Sequence, residues 1–287
     1  MITLSCIGAG RLGKTICRLL AGKVEIRQIV NHSLASAQNA VDFIGSGSAV
    51  SMADLQPADI WLIATPDGQI KLVYEQLKAT GILHNNAIVF HCSGAIGSSV
   101  LYSDDVNINV ASVHPIHSFA DPQKSLKDFS GSHCAIEGQA NAVTTLKDLF
   151  EDIGAIPFII DSQHKALYHT ATVMACNYLV SLLEASQQIL ATAGVDGCDG
   201  NPLESLIRQT LDNYLNTDAT SALTGPIARG DTKTITSHLQ ALAQNGDNQL
   251  WQQVYTALGK ATLPIAAQQG QASKSDLQQI EKLLDQN

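Results

Sequence analysis

"GAGRLGKT", Gly8 to Thr15, is the stretch on which the fold turns, and it has two readings. As Gly-x-Gly-x-x-Gly, through Gly8, Gly10 and Gly13, it is the turn that seats the pyrophosphate of a dinucleotide. As Gly-x-x-x-x-Gly-Lys-Thr it matches the phosphate loop of nucleotide triphosphatases. Both set backbone N–H groups and a helix N-terminus against phosphate. Three features favour the dinucleotide. Gly10 lies where a side chain would block the backbone's approach to pyrophosphate. A triphosphatase needs a later apolar strand ending in Asp to hold magnesium, whereas "IWLIATPD" ends in Ala64-Thr65-Pro66, with Asp67 beyond the proline. The second strand ends at "VNHS", roughly 20 residues on, where dinucleotide folds read the adenosine ribose. Lys14 then sits one turn into the helix, in solvent.

Enzymes that use NAD place Asp or Glu at the ribose position to accept from the 2′-hydroxyl. Here Asn31, His32 and Ser33 stand there, with no carboxylate to repel a 2′-phosphate. Asn31 and Ser33 offer hydrogen bonds, His32 partial charge, and Arg11 in the glycine turn a full charge. The expected cofactor is NADP(H), contacted by Gly8, Gly10, Arg11, Leu12, Gly13, Asn31, His32, Ser33, Thr65 and Pro66. Ser33 also reads as the cap of the next helix, and one hydroxyl can serve both purposes.

Outward from the turn, strand and helix patterns alternate. "ITLSCIGAG", "VEIRQIVN", "DIWLIATPD" and "NAIVFHCSG" are apolar runs of strand length, separated by helical patterns such as "SLASAQNAVDFIG" and "GQIKLVYEQLKATG". "INVASVHPIHSF", "SHCAIEG", a helix over about 141–153 and "IPFIID" follow. Alternation of this kind predicts a doubly wound parallel sheet, an α/β Rossmann domain. After Asp161 the pattern changes. "SQHKALYHTATVMACNYLVSLLEASQQILATAG" contains no proline and no internal glycine, too long for a crossover helix, and only helical segments succeed it. The expected division is a Rossmann domain over 1–161 and an all-helical substrate and dimerisation domain over 162–287.

The bulk properties bound the function. With 287 residues, 45% hydrophobic and 15% charged, the chain has material for about two domains with sizeable cores. A net charge of −9 repels nucleic acid and anionic membrane, so neither is an expected partner. No apolar stretch reads as the roughly 18 residues that span a bilayer. The six cysteines, Cys6, Cys17, Cys92, Cys134, Cys176 and Cys198, are scattered and lie mostly in apolar runs, which suits a reduced, cytoplasmic protein.

"CIGAGRLGKTI", "ATPDGQI", "HCSGA", "VHPIHSF", "HKALYHTATVMACNYLV" and "LTGPIARGD" occur in this order. Together they resemble a family of Rossmann-like oxidoreductases with a distinctive helical C-terminal domain. That family is similar in layout to pyrroline-5-carboxylate reductase, ketopantoate reductase, deazaflavin-dependent NADP oxidoreductases and the beta-hydroxyacid dehydrogenases. The resemblance implies a nicotinamide cofactor, a cleft between the domains and a dimer built through the helical part. It leaves the substrate open.

Ligands of doubly wound sheets bind at the carboxyl ends of the strands. Thr65-Pro66 should touch the cofactor there, and Ser93 with its neighbouring amides could hold a substrate oxygen. His91, His114 and His117 also end strands; each is more readily a satisfied core histidine than a catalyst. No Cys or carboxylate sits at ligand spacing beside them, so no metal is expected. Lys165 and His169, four apart, share a helix face, and either would serve as proton donor to a developing alkoxide. A solvated Lys165 and a packing His169 are the plain alternatives. In the related hydroxyacid dehydrogenases a Lys and an Asn on the equivalent helix play such roles, which points to Asn177 for orienting substrate. Arg229 in "TGPIARGD" would clamp a carboxylate or brace the loop, with bracing favoured. The expectation is an NADP(H)-dependent oxidoreductase for a small carbonyl or hydroxy compound, with 2-oxo acids such as ketopantoate among the candidates. The rival is a non-catalytic sensor that binds NADP(H) and signals through its helical domain.

Overall fold

In the computed structural model, residues 1–104, 107–195, 200–245 and 249–286 are described; Cys198 lies outside them. The chain divides into two compact units, Met1–Ala175 and Cys176–Asn287. The division falls inside the long helix rather than at Asp161, because the first turns of that helix are bonded to the sheet.

The first unit runs β1 (Thr3–Ile7), α1 (Arg11–Leu20), β2 (Glu25–Val30), α2 (Leu34–Ile44), β3 (Ser48–Ala49), β4 (Ile60–Ile63), α3 (Ile70–Ala79), β5 (Ile88–His91), β6 (Asn109–Pro115), α4 (Pro122–Asp128), β7 (His133–Gly138), α5 (Ala140–Asp152), β8 (Ile156–Ile159) and α6 (Lys165–Val173). The strands form one sheet in the order β3-β2-β1-β4-β5-β6-β7-β8. All pairings are parallel except β6 with β7. The strand order reverses direction between β1 and β4, which is the switch point where a doubly wound sheet opens a crevice for ligand.

Strands covered on both faces read as continuous apolar runs, and β4 and β5 are buried at every residue. Leu62, Phe90, Val113 and Ile136 face one cluster with α1, α2 and α5. Trp61, Ile63, Val89 and Val110 face the other with α3. The parallel sheet with crossover helices agrees with the sequence.

The second unit holds α7 (Leu179–Thr192), α8 (Glu204–Asn216), α9 (Ala219–Ala222), α10 (Pro226–Arg229), α11 (Thr232–Gln244), α12 (Gln249–Gln269) and α13 (Lys274–Asp285), with no strand among its described residues. Its core gathers Ile227, Ile235, Leu239, Ala266, Ile280 and Leu284. Pro226 opens α10, left-handed Gly230 closes it, and the Asp231 carboxylate accepts from the Thr234 N–H to cap α11. The special residues of "TGPIARGD" thus work as stops and caps; hydrogen bonds from Thr234 hold the Asp231 carboxyl below its ordinary range, and the Arg229 charge adds to them.

One expectation needs correction. Within the 31-residue helical stretch Ser162–Thr192, an 18-residue window reaches a mean hydropathy of 1.2, long and apolar enough by length and composition to cross a membrane. Its start is pinned to the sheet through Lys165, and Glu184, Gln187 and Gln188 interrupt its apolar surface. The sequence reading missed it because polar residues break the run without lowering its average enough.

Candidate active site

The glycine turn fits a dinucleotide on geometry of its own. Gly8 has φ +93°, and a Cβ there would lie 2.6 Å from Thr65 Cγ2. Only glycine allows that left-handed turn pressed against β4. A Cβ on Gly13 would lie 2.8 Å from the Gly8 carbonyl and 2.9 Å from Ala64 Cβ, so this glycine lets α1 close on the strands. Gly10 differs: a Cβ there would meet nothing within 4 Å. The space is empty of protein, as a pyrophosphate seat requires. Gly10 is also the N-cap of the ten-residue α1, with no side-chain cap bond and no acid in the first turn. The leading N–H groups and the positive end of the helix dipole are therefore left for an anion. Thr65 Oγ1, at the rim of the turn, is buried with no hydrogen-bond partner.

The triphosphatase reading fails in the same place. Lys14 Nζ lies 4.8 Å from the Phe43 ring centroid on α2, stacked rather than free in solvent. Thr15 is buried and donates its hydroxyl to the Arg11 carbonyl, so it is not offered to a magnesium ion.

Beyond β2, the Asn31 amide donates to the Ala9 carbonyl and to Ser36 O and Oγ, at 3.1–3.4 Å. Its donors brace the glycine turn against α2. Ser33 Oγ accepts from Ser36 N at 3.2 Å and caps α2, keeping its own proton to give. His32 and Arg11 are exposed, Leu12 half-buried and Pro66 exposed at the end of β4.

At the ends of β4, β5 and β6 lies a second group of polar side chains. In register across the sheet, His91 on β5 pairs with Ser112 on β6, and Ser112 with Glu137 on β7. Residues in register point to the same face, so a polar row crosses three buried strands. His91 and Ser112 are fully buried and Glu137 nearly so. Lys165, the first residue of α6, caps the row. Its ammonium donates to Ser112 Oγ and lies 3.3 Å from Glu137 Oε1. Glu137 in turn accepts from Ser98 N and Ser98 Oγ, each at 2.7 Å. A buried charge is tolerated when it is paired and hydrogen-bonded, and both members of this pair are. Burial lowers the Lys165 pKa, while the Glu137 carboxylate pulls it back up. Lys165 is therefore neither a solvated helix residue nor an open proton donor.

The ring of His91 accepts from Ser93 N at Nδ1 (3.2 Å), so its Nε2 carries the proton toward the Gly97 carbonyl (3.3 Å). Burial, with the Lys165 charge, pushes its pKa down to about 4. Ser93 Oγ donates to Asp67 Oδ2 at 2.8 Å and accepts from Ala95 N and Ile96 N. That hydroxyl ties the loop after β5 to the loop after β4, and its bonding capacity is spent.

One step along β6 stands His114. Its Nδ1 meets Tyr168 OH at 2.7 Å. The His169 ring crosses it at 83° with centroids 5.4 Å apart. Burial, then the neighbouring His169 and Lys165, push the His114 pKa down to about 4. The spacing explains the match: two residues on a strand and four on a helix each advance about 6 Å, so Lys165 over Ser112 sets His169 over His114. Gly94, after β5, completes the arrangement, since a Cβ there would lie 2.3 Å from His169 Cδ2 and 2.8 Å from His114 Nε2. His117 goes elsewhere, to Ser132 Oγ at 3.1 Å and between Phe119 and Phe129. Among the described residues no group of three His, Cys, Asp or Glu is placed to hold a metal. Asn177 lies exposed in the π-helical turn Met174–Tyr178, in the second unit.

Glu137, Ser112, Tyr168 and Asp67 escaped the sequence reading as site residues. A signal was present for the first two: a carboxylate in "HCAIEG" and a hydroxyl in "NVASVHP" interrupt strands that are otherwise apolar at buried positions.

Residues 1–115 match a Rossmann-like domain, and residues 132–262 match DUF2520, a domain of unknown function. No curated protein matches the chain by sequence. Among solved structures, protein TM1727 from Thermotoga maritima is 26% identical with a TM-score of 0.72, over 92% of this chain and 98% of that one. A Bacteroides fragilis protein, BF3122, bearing the name "putative NADP oxidoreductase", is 20% identical with a TM-score of 0.74, over 91% and 97%. Arogenate dehydrogenase from Synechocystis is 17% identical with a TM-score of 0.51, over 91% and 97%. The last two likenesses show the fold. The polar row draws on both matched stretches: His91 and Ser112 lie in the first, Glu137 and Lys165 in the second.

Proposed function

We propose that this chain is an NADP(H)-dependent oxidoreductase acting on a small carbonyl or hydroxy compound, with 2-oxo acids such as ketopantoate the first class to assay. The observation that carries the reading is the glycine turn at the sheet's switch point, where Gly8 and Gly13 are packed against protein and Gly10 opens onto empty space. The names carried by the Bacteroides and Synechocystis structures support an oxidoreductase. The missing carboxylate after β2 supports NADP(H) over NAD(H). With the Asn31 donors engaged, recognition of a 2′-phosphate falls to Arg11, His32 and Ser33.

A bound nicotinamide supplies or accepts a hydride. This chain's own part begins with Gly10 and the α1 N-terminus holding the pyrophosphate, and Thr65 and Pro66 bounding the ring side. Proton transfer then needs a titratable group at the strand ends. Lys165 is withdrawn into its pair with Glu137, and the Ser93 hydroxyl is spent on the loops. His114, with Nε2 turned toward Gly94, and His169 beside it remain. His114 carries the role, because its other nitrogen is held by Tyr168 while Lys165 and Glu137 fix the strand beneath it. His169 packs on it.

Following NADPH absorbance with a panel of 2-oxo acids and aldehydes tests the reading. Turnover with at least one, lost in His114→Asn but not in Cys176→Ser, is expected. Tight NADPH binding with no turnover across the panel would favour the sensor.

The same proposal gives the helical unit a second copy of this chain as partner. Every residue of α8 is exposed or half-exposed, although Ile207, Leu211, Tyr214 and Leu215 lie along it. Elsewhere in the same unit, a cavity of about 370 Å³ is lined by Leu182, Ile189, Trp251, Tyr255 and Leu258.

A further inference from the structure

We infer that Tyr168 is a positioning residue that fixes the proton of His114 on Nε2, the nitrogen turned toward Gly94; the inference rests on the assignment of His114 as the proton-transfer group. The Tyr168 hydroxyl has a single hydrogen-bond partner among the described residues, His114 Nδ1 at 2.7 Å. A phenol with one partner gives it its proton when that partner has a lone pair to offer. Nδ1 is then the acceptor, and the ring proton resides on Nε2. A neutral imidazole in this form gives its Nε2 proton to a substrate oxygen as Nδ1 takes the Tyr168 proton, so the ring stays neutral and the phenolate left behind is reprotonated from solvent.

The surroundings agree. The two rings meet edge to face, with centroids 5.6 Å apart at 83°. Phe158 on β8 backs the Tyr168 ring at 6.1 Å, which limits its swing. Burial pushes the Tyr168 pKa up to about 12, so the phenol keeps its proton through the neutral range. The charged or titratable groups facing His114 are Lys165 and His169 on α6 and Asp67 in the loop after β4. Lys165 is paired with Glu137 and Asp67 accepts from Ser93, so neither competes for Nδ1. Tyr168 and His169 are adjacent on α6 and project about 100° apart, which lets one helix turn grip the imidazole on two sides. Gly94 closes the third side.

Nitrogen-15 NMR of the full-length protein with labelled histidine tests this without any substrate. The wild-type spectrum at pH 7 should show His114 as one neutral tautomer, protonated at Nε2, with Nδ1 shifted by hydrogen bonding. In Tyr168→Phe that Nδ1 shift should move to the value of a free acceptor, and the His114 titration midpoint should rise by about one unit. Once a substrate is known, kcat should fall at least tenfold with KM for NADPH unchanged. A wild-type His114 protonated at Nδ1 would overturn the inference, as would a Tyr168→Phe spectrum and midpoint identical to wild type. The wild-type tautomer decides the matter even if the variant fails to fold. Absence of NADPH turnover would sink the proposed function while leaving the tautomer result standing.

Discussion

At Gly10 an added side chain would meet no protein atom within 4 Å, whereas at Gly13 it would press on the Gly8 carbonyl and Ala64. The two positions should therefore separate binding from folding. Gly10→Val is expected to keep the wild-type melting temperature and lose NADPH in a calorimetric titration, because its isopropyl group fills the pyrophosphate seat. Gly13→Val should instead lower stability, by about 1–3 kcal/mol for overpacking at a site with no room. A Gly10→Val protein that binds NADPH unchanged would mean that the turn is not the cofactor site. The motif was legible from the sequence, since Gly8, Gly10 and Gly13 lie within six positions; the contacts of Ala64 and Thr65 that demand two of these glycines come from beyond β4 and were not. Asn31 was legible only in part. Its place after β2 followed from spacing, but its amide is turned inward to Ala9 and Ser36, and the direction of a side chain is not written in its neighbours.

His91 gives the stability a pH dependence. Its pKa is near 4 in the folded protein, against an ordinary value of 6.5. The unfolded chain thus binds the proton first as pH falls. The contribution is complete above pH 6.5 and is lost between 6.5 and 4, to a limit of roughly 3 kcal/mol. Urea unfolding at pH 7.5, 5.5 and 4.5 should show that decline, with a shallower slope in His91→Gln. An equal slope in both proteins would mean that His91 does not titrate with unfolding.

Among the elements, the row His91–Ser112–Glu137 under Lys165 joins β5, β6, β7 and α6. Lys165→Ala would leave the Glu137 carboxylate buried without its cation, a loss of about 3–5 kcal/mol. Lys165→Met combined with Glu137→Gln should recover most of that loss, because the charge and its countercharge leave together. A double variant as unstable as the single one would contradict the pairing. The parallel strands and their crossover helices were readable from apolar runs and caps. The row was not, because its members come from four elements and meet only through sheet register. The reversal of β7 brings Glu137 opposite Ser112, and nothing in "HCAIEG" announces a direction. For the same reason α6 reads as the start of the helical domain: the helix is continuous in sequence, and only its bonds to β6 and β7 assign its first turns to the sheet.

At the scale of the whole molecule, the proposal is that a second copy covers the helical unit, where α8 is bare along its length. Light scattering on a sizing column should give a dimer, and Leu211→Glu with Tyr214→Glu on α8 should give a monomer that still binds NADPH. A wild-type monomer at micromolar concentration would refute this part of the proposal.

The central claim is that the glycine turn at the switch point holds NADP(H), and direct titration of the wild-type protein with NADPH, NADH and magnesium ATP tests it. The account predicts saturable binding of NADPH at one site per chain, weaker binding of NADH and none of magnesium ATP. Binding of magnesium ATP without NADPH, or tighter binding of NADH than of NADPH, would contradict it.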